Sequence, residues 1–346
     1  MRAAVLRDYG AALALEEVAE PACPPDGVVL QVLACGICRS DWHGWKGEHP
    51  RVKPGAVGGH EFCGEVIEAG PSARWAVGAR VIAPFLLGCG GCPSCRSGAA
   101  HVCDDLVFPG LGSIPGGFAE RVAVPRDHNL VALPEGMTPR TAAGLGCRVM
   151  TAWHGLTDRA ALQPGEWLAI HGTGGVGLAA LILGRAMGAR VIAVDVVPEK
   201  LSLAKALGAE VAVDARQGRT AEAIREATGG GAHVSVEALG IAETLNASLQ
   251  GLRPLGRHVQ LGLPIGHTRW LEVDMLTVFA GNLSLYGSRG MPPTRYDGLL
   301  SLILSGAADF SPLIGREVPL SGVSGELAAF DGPAPPGVAV VTDFTR

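Results

Sequence analysis

The sequence predicts an α/β chain in two parts, a doubly wound parallel sheet domain joined to a mostly β domain. Three observations carry this expectation. Residues 167–195 read as strand, glycine turn, helix, strand and acid; strand and helix then alternate to about residue 304; and before residue 150 short β-rich runs are separated by Gly and Pro. At 346 residues the chain is also too long for one ordinary core, which makes two domains the natural expectation.

The first observation is the most detailed. In LAIHGTGGVGLAALILGRAMGARVIAVD a strand over 167–171 runs into Gly172-x-Gly174-x-x-Gly177, an amphipathic helix over 176–187, and a second strand over 191–194 that ends in Asp195. Gly172 allows a tight turn, Gly174 lets the backbone approach a pyrophosphate, and Gly177 brings helix and strand together. The helix N-terminus offers oriented N–H groups to an anion. A carboxylate at Asp195 suits the two ribose hydroxyls of a dinucleotide and repels a 2′-phosphate, and no Arg follows it directly, so NAD is favoured over NADP. A glycine-rich helix start that binds nothing would not need strand, helix and acid in this register. Downstream, strands are expected over 210–213, 233–237, 258–261 and 283–286, and helices over 220–227, 241–252 and 296–304. Such alternation implies parallel strands with helical crossovers.

The earlier part has a different texture. Runs over 27–33, 63–69, 79–83 and 118–124 suggest an irregular, mostly antiparallel domain, and residues 311–346 return to short strands and Pro-rich turns. The chain is therefore expected to cross back and complete its first domain.

Composition limits the function classes. A 48% hydrophobic, 18% charged chain of net charge −5 is that of a globular protein, and its scattered Lys and Arg offer no stripe for a phosphate backbone. Nucleic acid is thus not an expected partner. An acid pair follows the N-terminal apolar residues before a signal-type run is complete, and Arg185 and Arg190 break the most apolar segment. A cytoplasmic location with no membrane span is expected. The 50 glycines follow no repeat period.

Four of the nine cysteines, Cys89, Cys92, Cys95 and Cys103, are spaced C-x2-C-x2-C-x7-C beside Gly88, Gly90 and Gly91. An odd total and the expected reducing compartment disfavour disulfides. Unrelated buried thiols would not gather in a Gly/Pro-rich loop, and an iron–sulfur cluster fits the x7 gap and the missing Pro less well. Four thiolates with no open position make a structural zinc site.

The remaining candidates are dispersed. Cys38 lies in ACGICRSDWHG, His60 and Glu61 lie in GGHEFCGEV ahead of a strand expected over 65–69, and Cys147 lies in GLGCRVMTAWHGL. Any one alone is weak, because a lone Cys is usually a small hydrophobe and a lone His a satisfied polar residue. Cys23, Cys35 and Cys63 fit no ligand spacing, and His154 and His171 are given no role. Trp42 and Trp45 carry two readings, pocket wall and packing.

Taken together, CGICRSDWH, GHE, the four-Cys loop, GGFAE, TAWHGL, GTGGVG, LRPLGRHVQLGLP and YGS resemble the zinc-dependent alcohol dehydrogenases of the medium-chain dehydrogenase/reductase superfamily along nearly the whole chain. The resemblance implies a GroES-like catalytic domain over 1–150 with both zinc sites, a Rossmann domain over 151–288, and a return segment over 289–346. It implies that Cys38, His60 and Cys147 hold a catalytic zinc with a fourth position open to water or substrate, that Glu61 is an occasional ligand, and that Asp41 orients His60. Ser40 and His43 resemble a proton relay; a local backbone cap and a surface histidine are the plainer readings. Arg39 resembles a pyrophosphate contact, and Thr151, Gly172, Gly174, Gly175, Val176, Gly177, Asp195 and Lys200 fall where the family contacts its cofactor. Two zinc ions and NAD per chain are implied, with hydride transfer between a primary or secondary alcohol and NAD. A zinc ion with an open position supports that chemistry by making a hydroxyl acidic near neutral pH. No long insertion follows Cys103, which resembles compact tetrameric members more than longer dimeric ones. A non-catalytic relative would be expected to lack a catalytic ligand, and all three are present here.

Overall fold

The computed structural model describes residues 1–332 and 335–346; of the expected return segment, residues 333 and 334 lie outside those described. A six-stranded, all-parallel sheet runs edge to edge through Val211–Asp214, Arg190–Asp195, Trp167–His171, Ala232–Glu237, Leu252–Gln260 and Ser284–Gly287. Every residue of Trp167–His171 is buried, as a central strand covered on both faces requires. Helix Gly175–Ala186 packs Leu178, Leu181, Ile182 and Leu183 into the main core beside it.

The second sheet has seven strands: six in the order Ile314–Pro319, Val338–Asp343, Val28–Gly36, Glu61–Ala69, Arg80–Ala83 and Val131–Ala132, and a seventh, Arg121–Val124, against Val28–Gly36. All its pairings are antiparallel except that of Ile314–Pro319 with Val338–Asp343. The C-terminal strand thus lies beside Val28–Gly36, pairing Val341 with Cys35. Arg2–Val5 and Ala14–Glu17 form a separate ribbon.

Several boundaries differ from expectation for local reasons. The strand expected over 258–261 begins at Leu252, because the chain passes Pro254 and Gly256 through a bulge with Leu255 at φ 62° instead of turning away. The helix expected over 241–252 spans Ala242–Gln250 and ends at Gly251. The strand expected over 65–69 starts at Glu61, so His60 sits directly at its mouth. Ser40, expected in a turn, lies in a short helix, Arg39–Trp45, whose Asp41 reaches back to accept a hydrogen bond from the Cys38 N–H at 2.9 Å. No helix among the described residues is long and apolar enough to cross a membrane.

Candidate active site

Three elements bring the dispersed candidates together. Cys38 precedes helix Arg39–Trp45, His60 and Glu61 open strand Glu61–Ala69, and Cys147 precedes helix Arg148–His154. Ligand atoms of Cys38, His60, Glu61 and Cys147 all lie within 4.8 Å of one another. Asp41 fixes the imidazole: its Oδ1 accepts from His60 Nδ1 at 2.8 Å and from the Gly59 N–H at 3.1 Å. With Nδ1 engaged, His60 Nε2 faces the cluster, buried and with no hydrogen-bond partner. A buried imidazole nitrogen left without a partner, on a ring oriented by a carboxylate, suits a metal ion. The two thiols add to the case. The hydrogen bond between them holds Cys38 well below the usual thiol range and, with burial, holds Cys147 well above it. Two sulfurs and an imidazole in tetrahedral reach are the donor set of zinc, and the residues fit that ion.

The fourth member has an unexpected partner. Glu61 Oε2 accepts from Arg148 Nε at 2.8 Å and from Arg148 Nη2, and that nitrogen also donates to the Ile37 carbonyl at 3.0 Å. Both side chains are buried. Burial raises the Glu61 carboxyl to about 7, with Arg148 pulling it back down. Glu61 Oε1 is buried without a partner and belongs to the metal-sized cluster. Arg148 also extends toward the dinucleotide loop, since a Cβ on Gly175 would lie 2.8 Å from its Nη1. The sequence reading missed Arg148. Its signal was a charge inside the otherwise apolar run LGCRVMTAW, where a buried Arg must find an anion.

Ser40 Oγ lies 4.0 Å from Cys38 Sγ. His43 is half-buried and bonds Glu48 Oε2 through Nδ1 at 2.6 Å; burial lowers its pKa against the pull of Glu48. Glu48 was likewise not foreseen. Trp42 is buried, its indole N–H donates to Asp331, and Arg39 stacks on its ring at 4.1 Å while donating to the Phe330 carbonyl at 2.9 Å. Trp45 packs in the same core.

The four clustered cysteines converge as a separate group, again within 4.8 Å. Backbone N–H groups of Gly91 and Cys92 point at Cys89 Sγ, that of Cys95 at Cys92 Sγ, and those of Cys89 and Asp105 at Cys103 Sγ, at 3.3 to 3.4 Å. Such donors favour thiolates: the Cys95 N–H helps bring Cys92 to about 6, whereas burial pushes Cys95 up to about 12. A single ion that replaces every proton resolves this unequal sharing, and the donor set again suits zinc. Cys23, Cys35 and Cys63 stand outside both groups.

At the dinucleotide loop, Gly172 has φ +92°, and a Cβ on Gly177 would lie 1.8 Å from the Gly172 carbonyl, so neither position accepts a side chain. A Cβ on Gly174 would meet open space. Val176 lies in the first turn of helix Gly175–Ala186 and Lys200 in helix Pro198–Ala206. Asp195 ends its strand, yet its carboxylate already accepts from the Thr173 N–H and hydroxyl and from the Val196 and Val197 N–H groups, at 2.8 to 3.0 Å. It therefore also ties the glycine turn to its neighbouring strand. Thr151 Oγ1 accepts from the Gly290 N–H at 3.1 Å. His154 bonds Ser288, while both ring nitrogens of His171 are buried without a partner and burial lowers its pKa to about 3.

Comparison with known proteins agrees with this geometry. The family model described as "Alcohol dehydrogenase GroES-like domain" matches residues 24–135, and that described as "Zinc-binding dehydrogenase" matches residues 175–305. An alcohol dehydrogenase of Geobacillus stearothermophilus is 34% identical over 318 residues, 91% of each chain. Among solved structures, an alcohol dehydrogenase of Thermus sp. ATN1 superposes with a TM-score of 0.91 at 30% identity, covering 99% of this chain and 100% of its own. A zinc-binding dehydrogenase of Sinorhizobium meliloti 1021, solved bound to NADP, reaches 0.88 at 31% identity, covering 99% and 98%. With both halves matched and the likeness running end to end, the chain belongs to the zinc-dependent alcohol dehydrogenases of the medium-chain dehydrogenase/reductase superfamily.

Proposed function

We propose that the chain is an NAD-dependent alcohol dehydrogenase with a catalytic zinc on Cys38, His60 and Cys147 and a structural zinc on Cys89, Cys92, Cys95 and Cys103. The observation that carries the catalytic assignment is the unpartnered His60 Nε2, within 4.8 Å of the two sulfurs on a ring held by Asp41. When bound, the zinc acidifies the substrate hydroxyl and the nicotinamide takes the hydride, so that alcohol and oxidised cofactor give carbonyl compound, reduced cofactor and one proton.

The chain's own residues do the rest. Asp41 fixes the tautomer and aim of His60. Ser40, beside Cys38, takes up the hydroxyl proton and His43 passes it toward solvent, with Glu48 orienting the imidazole through Nδ1. Arg148 pairs with Glu61 Oε2, which offsets the carboxylate charge beside the two sulfurs. The glycine turn and the first N–H groups of helix Gly175–Ala186 receive the pyrophosphate, with Arg39, Thr151, Val176 and Lys200 around the cofactor. Asp195 supports NAD because its carboxylate would lie against a 2′-phosphate, and Val196, Val197 and Pro198 bring no cation to offset it. We assign 1–150 with 289–346 to the metal-holding half and 151–288 to the cofactor half.

Nine free cysteines suit a reducing cytoplasm. Strand Ser284–Gly287 leaves one sheet edge open, and exposed Trp270, Met275, Leu276 and Phe279 precede it. This supports a homo-oligomer, for which a tetramer is favoured. A panel of primary alcohols, secondary alcohols and polyols, followed by reduced-cofactor absorbance with NAD and with NADP, tests the reading. Turnover of at least one alcohol with a higher kcat/KM for NAD is expected, and a preference for NADP refutes the cofactor assignment.

A further inference from the structure

Two arginines outside the machinery described above meet on one aromatic ring. The guanidinium carbon of Arg51 lies 4.2 Å from the centroid of Phe108, and that of Arg289 lies 5.7 Å from the same centroid. They are far apart in the sequence. Arg51 follows helix Arg39–Trp45, whereas Arg289 follows strand Ser284–Gly287 at the edge of the parallel sheet. Phe108 is buried in the core cluster that also holds Cys147, Phe85, Leu86 and Met291, and the Phe85 ring meets the His60 ring edge-on at 5.8 Å. Arg289 is tied to this place by its neighbour Gly290, whose N–H donates to Thr151 and whose Cα faces Leu86 and Phe85. The segment carrying Arg289 thus adjoins Phe85, the ring packed on His60, and Arg51 shares the Phe108 ring with Arg289.

Among the described residues, neither arginine makes an ion pair or a hydrogen bond to the protein. The carboxylates on the elements packed around them are already engaged: Asp41 with His60, Glu48 with His43, Glu61 with Arg148, and Asp158 with Arg295. The other titratable groups here, His49 and His101, are kept neutral by burial, with the nearby arginines adding to the effect. Arg289 itself is disfavoured as a cation by partial burial and by Arg51. Two like charges gathered on one ring, with no carboxylate bonded to either, attract an anion. Guanidinium groups suit carboxylate and phosphate oxygens in particular, because their donors are arranged as a fork.

Resting on the alcohol dehydrogenase reading, we propose that Arg51 and Arg289 bind an anionic group of the substrate, a carboxylate or a phosphate ester remote from the reacting carbon. The favoured substrates are then hydroxy acids or phosphorylated alcohols and their carbonyl counterparts. The clamp takes no part in the redox step. The carbinol carbon still gives up its hydride and the hydroxyl its proton, while the anion fixes which carbon faces the metal.

The test uses the zinc-loaded enzyme with NAD and three matched series of increasing chain length: neutral 1-alkanols, ω-hydroxycarboxylates, and monophosphate esters of α,ω-diols. One anionic series is expected to exceed the neutral one in kcat/KM at one or two chain lengths, and which series does so identifies the anion. The anionic-to-neutral ratio should fall about 10- to 100-fold in R51Q and R289Q, the scale of hydrogen bonds to charged groups. It should be kept only in part in R51K and R289K, which retain the charge but lose the fork, and should shrink in concentrated salt. A wild-type enzyme that favours the neutral alcohol at every length overturns the clamp whether or not the variants fold, and so does a ratio that stays within about threefold in the double variant R51Q/R289Q. Turnover of neutral alcohols without anionic preference leaves the dehydrogenase reading standing and removes only the clamp. Absence of turnover across all three series removes both.

Discussion

Replacing Arg148 with Met isolates the ion pair behind the candidate metal site. Arg148 and Glu61 have side-chain exposures of 2% and 0%, so water screens neither group. In the variant, Glu61 Oε2 loses both guanidinium donors while Oε1 already has no partner, and the carboxylate remains buried with no compensating cation. Breaking one side of such a pair costs about 3–5 kcal/mol, far above the 0–1 kcal/mol of an exposed bridge. Removing both charges is cheaper, because an apolar pair of similar volume needs no solvation. The Arg148→Met/Glu61→Leu double variant should therefore lose less stability than Arg148→Met alone, which is a strongly non-additive cycle. Urea unfolding of the four zinc-loaded proteins at pH 8 measures each term. A loss below about 1 kcal/mol in Arg148→Met, or single-variant losses that simply add in the double, would refute the argument.

Four further outcomes are expected. Chelator-washed protein should retain two zinc ions per chain; Cys95→Ser should lose stability, whereas Cys147→Ser should lose turnover with the fold kept, and identical phenotypes would undo the division between the sites. Asp195→Gly should weaken NAD strongly and narrow its advantage over NADP. Because the carboxylate also holds Thr173, Val196 and Val197, the same variant should unfold at lower urea, and unchanged unfolding would deny that anchoring role. Ser40→Ala should lower kcat about 10²- to 10⁴-fold and His43→Gln by less, with the His43 deficit shrinking as pH rises; near-normal kcat in Ser40→Ala, with a deuterium isotope effect showing hydride transfer to be rate-limiting, removes Ser40 from the relay. His171 is neutral when folded, with its pKa depressed from 6.5 to about 3, so its contribution is complete above pH 6.5 and is lost as pH falls toward 3. Unfolding should take up about one proton less in this window in His171→Asn than in wild type, and an equal uptake would show that the imidazole titrates normally.

Much of the molecule was legible because its information is local. The glycine turn, its helix and the acid that follows span fewer than thirty residues, and the C-x2-C-x2-C-x7-C loop fewer still, so spacing alone indicated a dinucleotide site and a closed zinc site. The strand–helix alternation likewise implied the parallel sheet, since each crossover is encoded by consecutive residues. Between the helix expected over 241–252 and the strand expected over 258–261, the sheet accommodates Pro254 and Gly256 as a bulge, which their residue types do not announce.

The sequence by itself determined the donor types, the fold class and the family resemblance. Tertiary structure decided who stands beside whom. Glu61 and Arg148 are 87 residues apart, and nothing in either segment names the other; burial of the guanidinium requires an anion, and packing selects Glu61. Asp195 looked from its position like a ligand for ribose alone, and only the folded turn gives its oxygens four internal donors. Arg51 and Arg289 are unremarkable in sequence and become a pair only because the fold brings both onto Phe108. Such electrostatic pairings depend on distance and dielectric, which exist only after the chain has folded and excluded water.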